Sequence, residues 1–279
     1  MQEDVRDRPR FSSEEAIEIA RSRFGVAGSA EELPSERDQN FRLRKPSGDL
    51  FVLKLANAAA NRESLECQNQ AMRRVAEHCG ESVCPRPVPA QSGNEIIELQ
   101  ADDGRRYFGR LLTHVPGVPL AEVNPHSPML LDSLGRLLGS VSEALRGFSH
   151  PAAVRDFVWD LKNSGDVVRD RGPTALSADR WEIVAQFLKH HEEHVVPKLD
   201  GLRVGVLHND ANDYNVLVEQ RPTIDRKAVA LLDFGDMVES HLVNELAICL
   251  GYAMLDKPDP LVAAARVVQG YHAVFPLTE

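Results

Sequence analysis

No apolar run in this chain approaches the roughly 18 residues that a membrane-spanning helix requires. The four cysteines, Cys67, Cys79, Cys84 and Cys249, contain no CxxC pair and no zinc-finger spacing. Their sparseness argues against a disulfide framework and for reduced, packed thiols in a cytoplasmic protein. An excess of positive charge is missing too: 42 acidic side chains face 32 basic ones, a formal net charge of −10. Such a surface repels phosphate backbones and anionic membranes, so neither nucleic acid nor a membrane is an expected partner, and it mildly favours a cationic substrate. The start, MQEDVRDRPR, is polar and acid-bearing, unlike a signal peptide, and residues 1–11 read as a disordered tail.

What is present is an ordinary globular mixture, 43% apolar and 27% charged over 279 residues, enough for one large domain or two lobes. Ser12 with Glu15 forms a capping-box signature ahead of a helix that Gly25 ends. Strand patterns follow from Leu33 to Leu55, with a turn at Pro46–Asp49. A helix from about Asn61 to Cys79 buries Leu65, Met72, Val75 and Ala76, and strands are expected over Glu95–Leu99 and Tyr107–Leu112. Beyond His114-Val115-Pro116-Gly117 the pattern turns helical, over Met129–Leu145, Ala178–Val196 and Leu242–Leu255. Short strands at Val204–Leu207, Asn215–Val218 and Ala228–Leu232 lie between the last two. The reading is an α+β chain: a sheet-rich lobe over 12–112, then a helical lobe over 113–279 with an embedded hairpin.

The chemistry sits in two motifs. His208-x-Asp210 is followed by Asn215 and an apolar strand, and 18 positions after Asn215 comes Asp233-Phe234-Gly235. Singly, the first is a polar loop and the second a turn after a strand. In this order, with a strand-turn-strand between them, they supply what phosphoryl transfer needs: a carboxylate at the attacking hydroxyl and hard oxygen ligands for magnesium. Lys54 adds a cation inside an apolar strand, where an unpaired ammonium is costly, with the phosphates of a nucleotide as its natural partner.

These residues resemble the aminoglycoside-phosphotransferase and choline-kinase superfamily, with its two-lobed, protein-kinase-like fold. Three further stretches, 33–41, 63–72 and 234–247, are similar to the hydroxylysine kinases and to bacterial kinase domains that precede class III aminotransferases. The resemblance spans roughly residues 12–275. It implies Asp210 as catalytic base with His208 orienting its loop, and Asn215 and Asp233 as Mg2+ ligands. It further implies Lys54, Ser35, Leu112 and His114 around ATP or GTP, with an acid on the following helix fixing Lys54. Glu66 is taken for that acid, with Glu63 and Gln68 as alternatives. An aminotransferase domain in a longer polypeptide is an implied partner.

Departures from the family pattern are visible. The turn at Ser35–Asn40 replaces a glycine-rich loop, Asn209 stands where many relatives carry glycine, and the chain stops at Glu279, before the helical lobe of some relatives ends. A hydroxylated amine or amino acid is the expected acceptor, with Asp213, Asp236 and Glu245 as ammonium partners and Trp159 or Tyr252 as walls. His190, His191 and His194 read as a solvated helix face. The competing reading is a kinase-shaped module that binds nucleotide without turnover; a protein kinase is disfavoured by the missing Ala-Pro-Glu segment.

Overall fold

The computed structural model describes residues 8–101, 104–221 and 224–278. They divide into two compact units, Met1–Pro116 and Gly117–Glu279. Residues 1–7 of the expected tail lie outside the described residues. Residues 8–11 are held: Phe11 is buried, and its backbone exchanges two hydrogen bonds with the Gln39 amide at 2.8 and 2.9 Å.

The first unit opens with α1 (Ser13–Phe24), whose capping box and left-handed Gly25 (φ 67°) are both present. A mixed-order antiparallel sheet follows, built from β1 (Ser29–Leu33), β2 (Gln39–Arg44), β3 (Leu50–Leu55), β4 (Pro87–Val88), β5 (Ile97–Gln100) and β6 (Arg106–Thr113). Its order is β1-β2-β3-β6-β4, with β5 also on β6. Between β3 and β4 runs α2 (Arg62–Cys79), capped by Asn61. The alternation of β2 decides the faces. Phe41 and Leu43, with Leu53, Leu55 and Leu111, join Ala16, Ala20 and Phe24 of α1 in one core. The opposite face carries Asn40, Lys54 and Arg110 side by side, because Lys54 stands across from Asn40 on one neighbour and Arg110 on the other.

The second unit starts with β7 (Val118–Pro119), then α3 (Pro128–Leu145), α4 (Ser164–Ala175) and α5 (Ala178–His194). It continues through β8 (Val204–Leu207), β9 (Val216–Val218), β10 (Ala228–Leu231) and β11 (Val238–His241) to α6 (Val243–Ala253) and α7 (Pro260–Val274). Its centre is α3 against α7, packed backbone to backbone at two glycines. A methyl group on Gly135 would meet the Val267 carbonyl oxygen at 2.0 Å, and one on Gly270 the Asp132 oxygen at 2.1 Å. The buried Tyr271 hydroxyl closes the seam by donating to Ser142 Oγ at 2.9 Å. By contrast, α4 and α5 bury only Gly172 between them, and Ile183 and Phe187 face solvent. The pairs β9–β10 and β8–β11 are both antiparallel and carry the two motifs at their ends.

Candidate active site

The loop after β8 is fixed by its own side chains. His208 is fully buried, and its ring stands edge-on to Phe234 with centroids 4.8 Å apart. Its Nδ1 accepts from the Asp210 amide at 3.2 Å, so the ring proton is on Nε2 and is donated to the Leu232 carbonyl at 2.7 Å. The histidine thus ties Asp210 to the residue preceding Asp233 without contributing a free proton acceptor. Asn212 Oδ1 receives the amides of Tyr214 and Asn215, while its Nδ2 donates to Asp210 Oδ1 at 2.8 Å. Asn215 Nδ2 donates to Asp210 Oδ2 at 2.7 Å and to the Asp210 carbonyl at 2.9 Å. With the amide nitrogen committed to Asp210, Oδ1 is the atom of Asn215 that remains for a cation.

Asp233 is brought to the loop by the β9–β10 pairing and by the Leu232 amide, which donates to the Asn215 carbonyl at 2.7 Å. Its backbone is left-handed (φ 52°), and Oδ1 accepts from the Gly235 amide at 3.2 Å. Burial, reinforced by the charges of Asp236 and Asp233 and opposed by the Asn212 hydrogen bond, raises the Asp210 pKa above the usual carboxylate range. A carboxylate repelled by two others is a setting that a divalent cation relieves. Among the described residues no three His, Cys, Asp or Glu side chains form a metal cage. One carboxylate and one amide oxygen nevertheless suit magnesium, which completes its shell with water and substrate phosphates.

Glu245, read from the sequence as a substrate contact, has a different position. It is buried on α6, and its Oε2 accepts from the His208 amide at 2.7 Å and the Asn209 amide at 3.1 Å. It anchors the loop from beneath, which its place in the first turn of a helix gave no means to foresee. Asn209 itself is left-handed (φ 67°) and donates through Nδ2 to the Trp159 carbonyl at 3.2 Å.

Of the expected substrate contacts, Trp159 is 65% exposed. Asp213 is half-buried, its carbonyl accepting from the Ala121 amide at 2.9 Å. Asp236 closes the one-turn helix Phe234–Asp236. Tyr252 lies on the α6 face that carries Glu245, two turns on. Its hydroxyl pKa is raised by burial and then by the charges of Asp210 and Asp213.

In the first unit, Lys54 Nζ lies 3.9 Å from Asp38 Oδ2, with the two side chains 11% and 25% exposed. Asp38 in turn accepts the Asn57 amide at 3.1 Å. Two of the helix residues expected to serve Lys54, Glu66 and Gln68, have other partners. Glu66 pairs with Arg62 at 3.8 Å, and Gln68 Oε1 accepts from the buried Arg110 at 2.7 Å. Arg110 also reaches Asn69 Oδ1 at 2.8 Å and the Leu65 carbonyl at 3.3 Å. Ser35 is half-buried in the turn before β2, and Leu112 is buried in β6. Burial, then Arg42 and Arg44, depress the His114 pKa.

Residues 29–278 match the phosphotransferase enzyme family. Hydroxylysine kinase of Mus musculus is 32% identical over 294 residues, 97% of this chain and 77% of the relative. Its Xenopus laevis counterpart is 30% identical, over 98% and 78%. Among solved structures, an amicoumacin kinase in complex with AMP-PNP, Ca2+ and Ami superposes with a TM-score of 0.71 at 16% identity, over 99% of this chain and 81% of that one. A microcompartment-associated aminopropanol kinase gives 0.70 at 19%, over 95% and 82%. These likenesses show a shared kinase fold, and the family match together with the two curated relatives makes the chain a small-molecule kinase of the phosphotransferase enzyme family.

Proposed function

We propose that this kinase moves the γ-phosphate of ATP or GTP to the hydroxyl of a hydroxylysine-like amino acid or an amino alcohol. The observation that carries the proposal is the Asp210 carboxylate, held by Asn212 and Asn215 and made more basic by burial and by neighbouring carboxylates. A base of that kind suits an alcohol whose proton leaves as the phosphorus bond forms. The acceptor oxygen attacks the γ-phosphorus, the bond to the bridging oxygen breaks, and Asp210 takes the hydroxyl proton, leaving a phosphate ester and a nucleoside diphosphate.

Asn215 and Asp233 are the residues to hold magnesium. Held there, magnesium would supply positive charge to offset the negative charge that develops on the transferred phosphoryl group. Lys54 is assigned to the α- and β-phosphates, with Ser35 capping phosphate and Leu112 and His114 at the base. Asp213 and Asp236 are assigned to the substrate's ammonium and Trp159 to its apolar stem. The names of the hydroxylysine kinases and of the aminopropanol kinase support an amino-bearing acceptor. Four free thiols, three of them buried, fit the reducing cytoplasm.

A nucleotide-consumption assay over a panel of hydroxylated amino acids, amino alcohols and neutral sugars tests the proposal. Turnover is expected with amino-bearing acceptors. Turnover confined to neutral sugars rejects the acceptor class.

A further inference from the structure

We infer that Arg155, in the strap between α3 and α4, is a positioning residue for the Asp233 turn, an inference that rests on the phosphotransferase reading of Asp233. The one-turn helix Phe234–Asp236 is too short to satisfy its own carbonyls. Arg155 supplies donors from outside: Nε to the Met237 carbonyl and Nη2 to the Gly235 carbonyl, both at 3.1 Å. The guanidinium lies over the Phe157 ring, 4.0 Å from its centroid, so the planar fork is oriented by stacking.

The turn is therefore pinned at both ends. At its start the Asp233 side chain caps the Gly235 amide, and Arg155 takes the Gly235 carbonyl within the turn and the Met237 carbonyl just past its end. A left-handed non-glycine backbone at Asp233 costs about 1 kcal/mol or more and persists only where surrounding bonds over-determine it. Arg155 supplies two such bonds next to it.

The same strap reaches the other motif. Four residues on, the Trp159 carbonyl accepts from Asn209 Nδ2 at 3.2 Å. The fully buried Asp160 then accepts from Ser240 Oγ at 2.6 Å and pairs with Lys162 at 3.0 Å. Residues 155–160 thus set the register between the loop that carries the base and the turn that carries the metal ligand. No local sequence motif marks this role, because Arg155 is about 80 residues from its partners.

The test uses the full chain and a non-hydrolysable ATP analogue, with its affinity measured by calorimetry with and without Mg2+, so that no acceptor need be known. Arg155→Met is expected to reduce the Mg2+-dependent gain in affinity about 10- to 100-fold, the range for loss of a group that orients a metal ligand. Metal-free affinity is expected to stay within about twofold, and amide exchange over residues 234–237 to accelerate. Arg155→Lys keeps the charge but not the fork, and is expected to fall between the two; should the methionine variant not fold, the lysine variant decides. An unchanged metal-dependent gain overturns the inference, as does an equal loss with and without metal, which would mark a purely structural staple. If the wild-type chain shows no metal-dependent gain, the phosphotransferase reading of Asp233 fails, and the inference with it.

Discussion

The Lys54 strand of the first unit and the His208–Asn215 loop of the second are held by different kinds of bond. From His208 to Asn215 the contacts are local: Asp210, Asn212 and Asn215 cap one another within six residues, and Glu245 adds a buried anchor. Around Lys54 they are long-range, with Asp38 sixteen positions upstream and Arg110 bridging β6 to α2 across more than forty residues. Local bonds set most of the loop's shape, with Glu245 anchoring it from beneath, whereas long-range bonds make the Lys54 face depend on how the sheet and helix pack. Substitutions in the loop should therefore act on chemistry and those around Lys54 on nucleotide affinity.

The largest effect is expected from Asp210→Asn, which should lower kcat about a thousandfold, within the span of general-base losses, while nucleotide affinity is retained. As the proposed base, Asp210 must be ionised to work, and its raised pKa moves the point at which it ionises upward. Activity of the wild-type enzyme should therefore fall on acidification at a pH above the ordinary carboxylate range. A kcat/KM profile flat through that range would contradict Asp210 as the base.

Glu245→Ala comes next. It strips two buried amides of their acceptor, and each such loss costs about 1 to 3 kcal/mol. The other oxygen, Oε1, is buried with no hydrogen-bond partner among the described residues, so removing it returns part of that cost. A net loss of about 2 to 4 kcal/mol in denaturant unfolding is expected. Glu245→Gln keeps an acceptor oxygen and should cost about 1 kcal/mol. If both variants unfold like the wild type, the loop does not depend on its buried anchor.

Legibility in the sequence follows the same division. The loop could be read because its bonds among His208–Asn215 join residues two to five apart, and α1 because both of its caps are local. The sequence placed Lys54 on a strand, but it could not say which acid lies beside it. That depends on the face of α2 turned to the sheet, and Arg110 takes the Gln68 position. Glu245 was misassigned for a related reason, since a helix-first-turn acid looks the same whether it meets solvent or two buried amides. The helix α7 escaped notice because two of its four buried positions, Ala263 and Gly270, are small residues. These let it approach α3 but carry a weak apolar signal.

The partner of Lys54 can be settled by a pair of conservative changes. Asp38→Asn removes the charge beside the ammonium and weakens its orientation, and is expected to raise the nucleotide KM about three- to tenfold with kcat little altered, a loss of about 1 kcal/mol in the manner of a partly exposed ion pair. Glu66→Gln, which disturbs only an exposed pair with Arg62, should leave both parameters within about twofold. The reverse ranking would assign the orienting acid to α2.

The smallest expected effect, at Asn209, measures how nearly two opposed contributions cancel. Its left-handed backbone is strained for a side-chain-bearing residue, though less so for asparagine than for most. Asn209→Gly removes that strain and adds freedom to the unfolded chain, which works against the folded state. It also deletes the Nδ2 bond to the Trp159 carbonyl, worth about 0.5 to 1.5 kcal/mol, and the buried Oδ1, which has no hydrogen-bond partner among the described residues. These contributions should leave stability within about 1 kcal/mol of wild type. Activity separates them further, because the deleted bond is one of the ties between the strap and the catalytic loop. A kcat reduced two- to fivefold at unchanged stability, about 0.4 to 1 kcal/mol in the barrier, is the expected result. A glycine variant indistinguishable in kcat would show that Glu245 and His208 alone hold the loop in register.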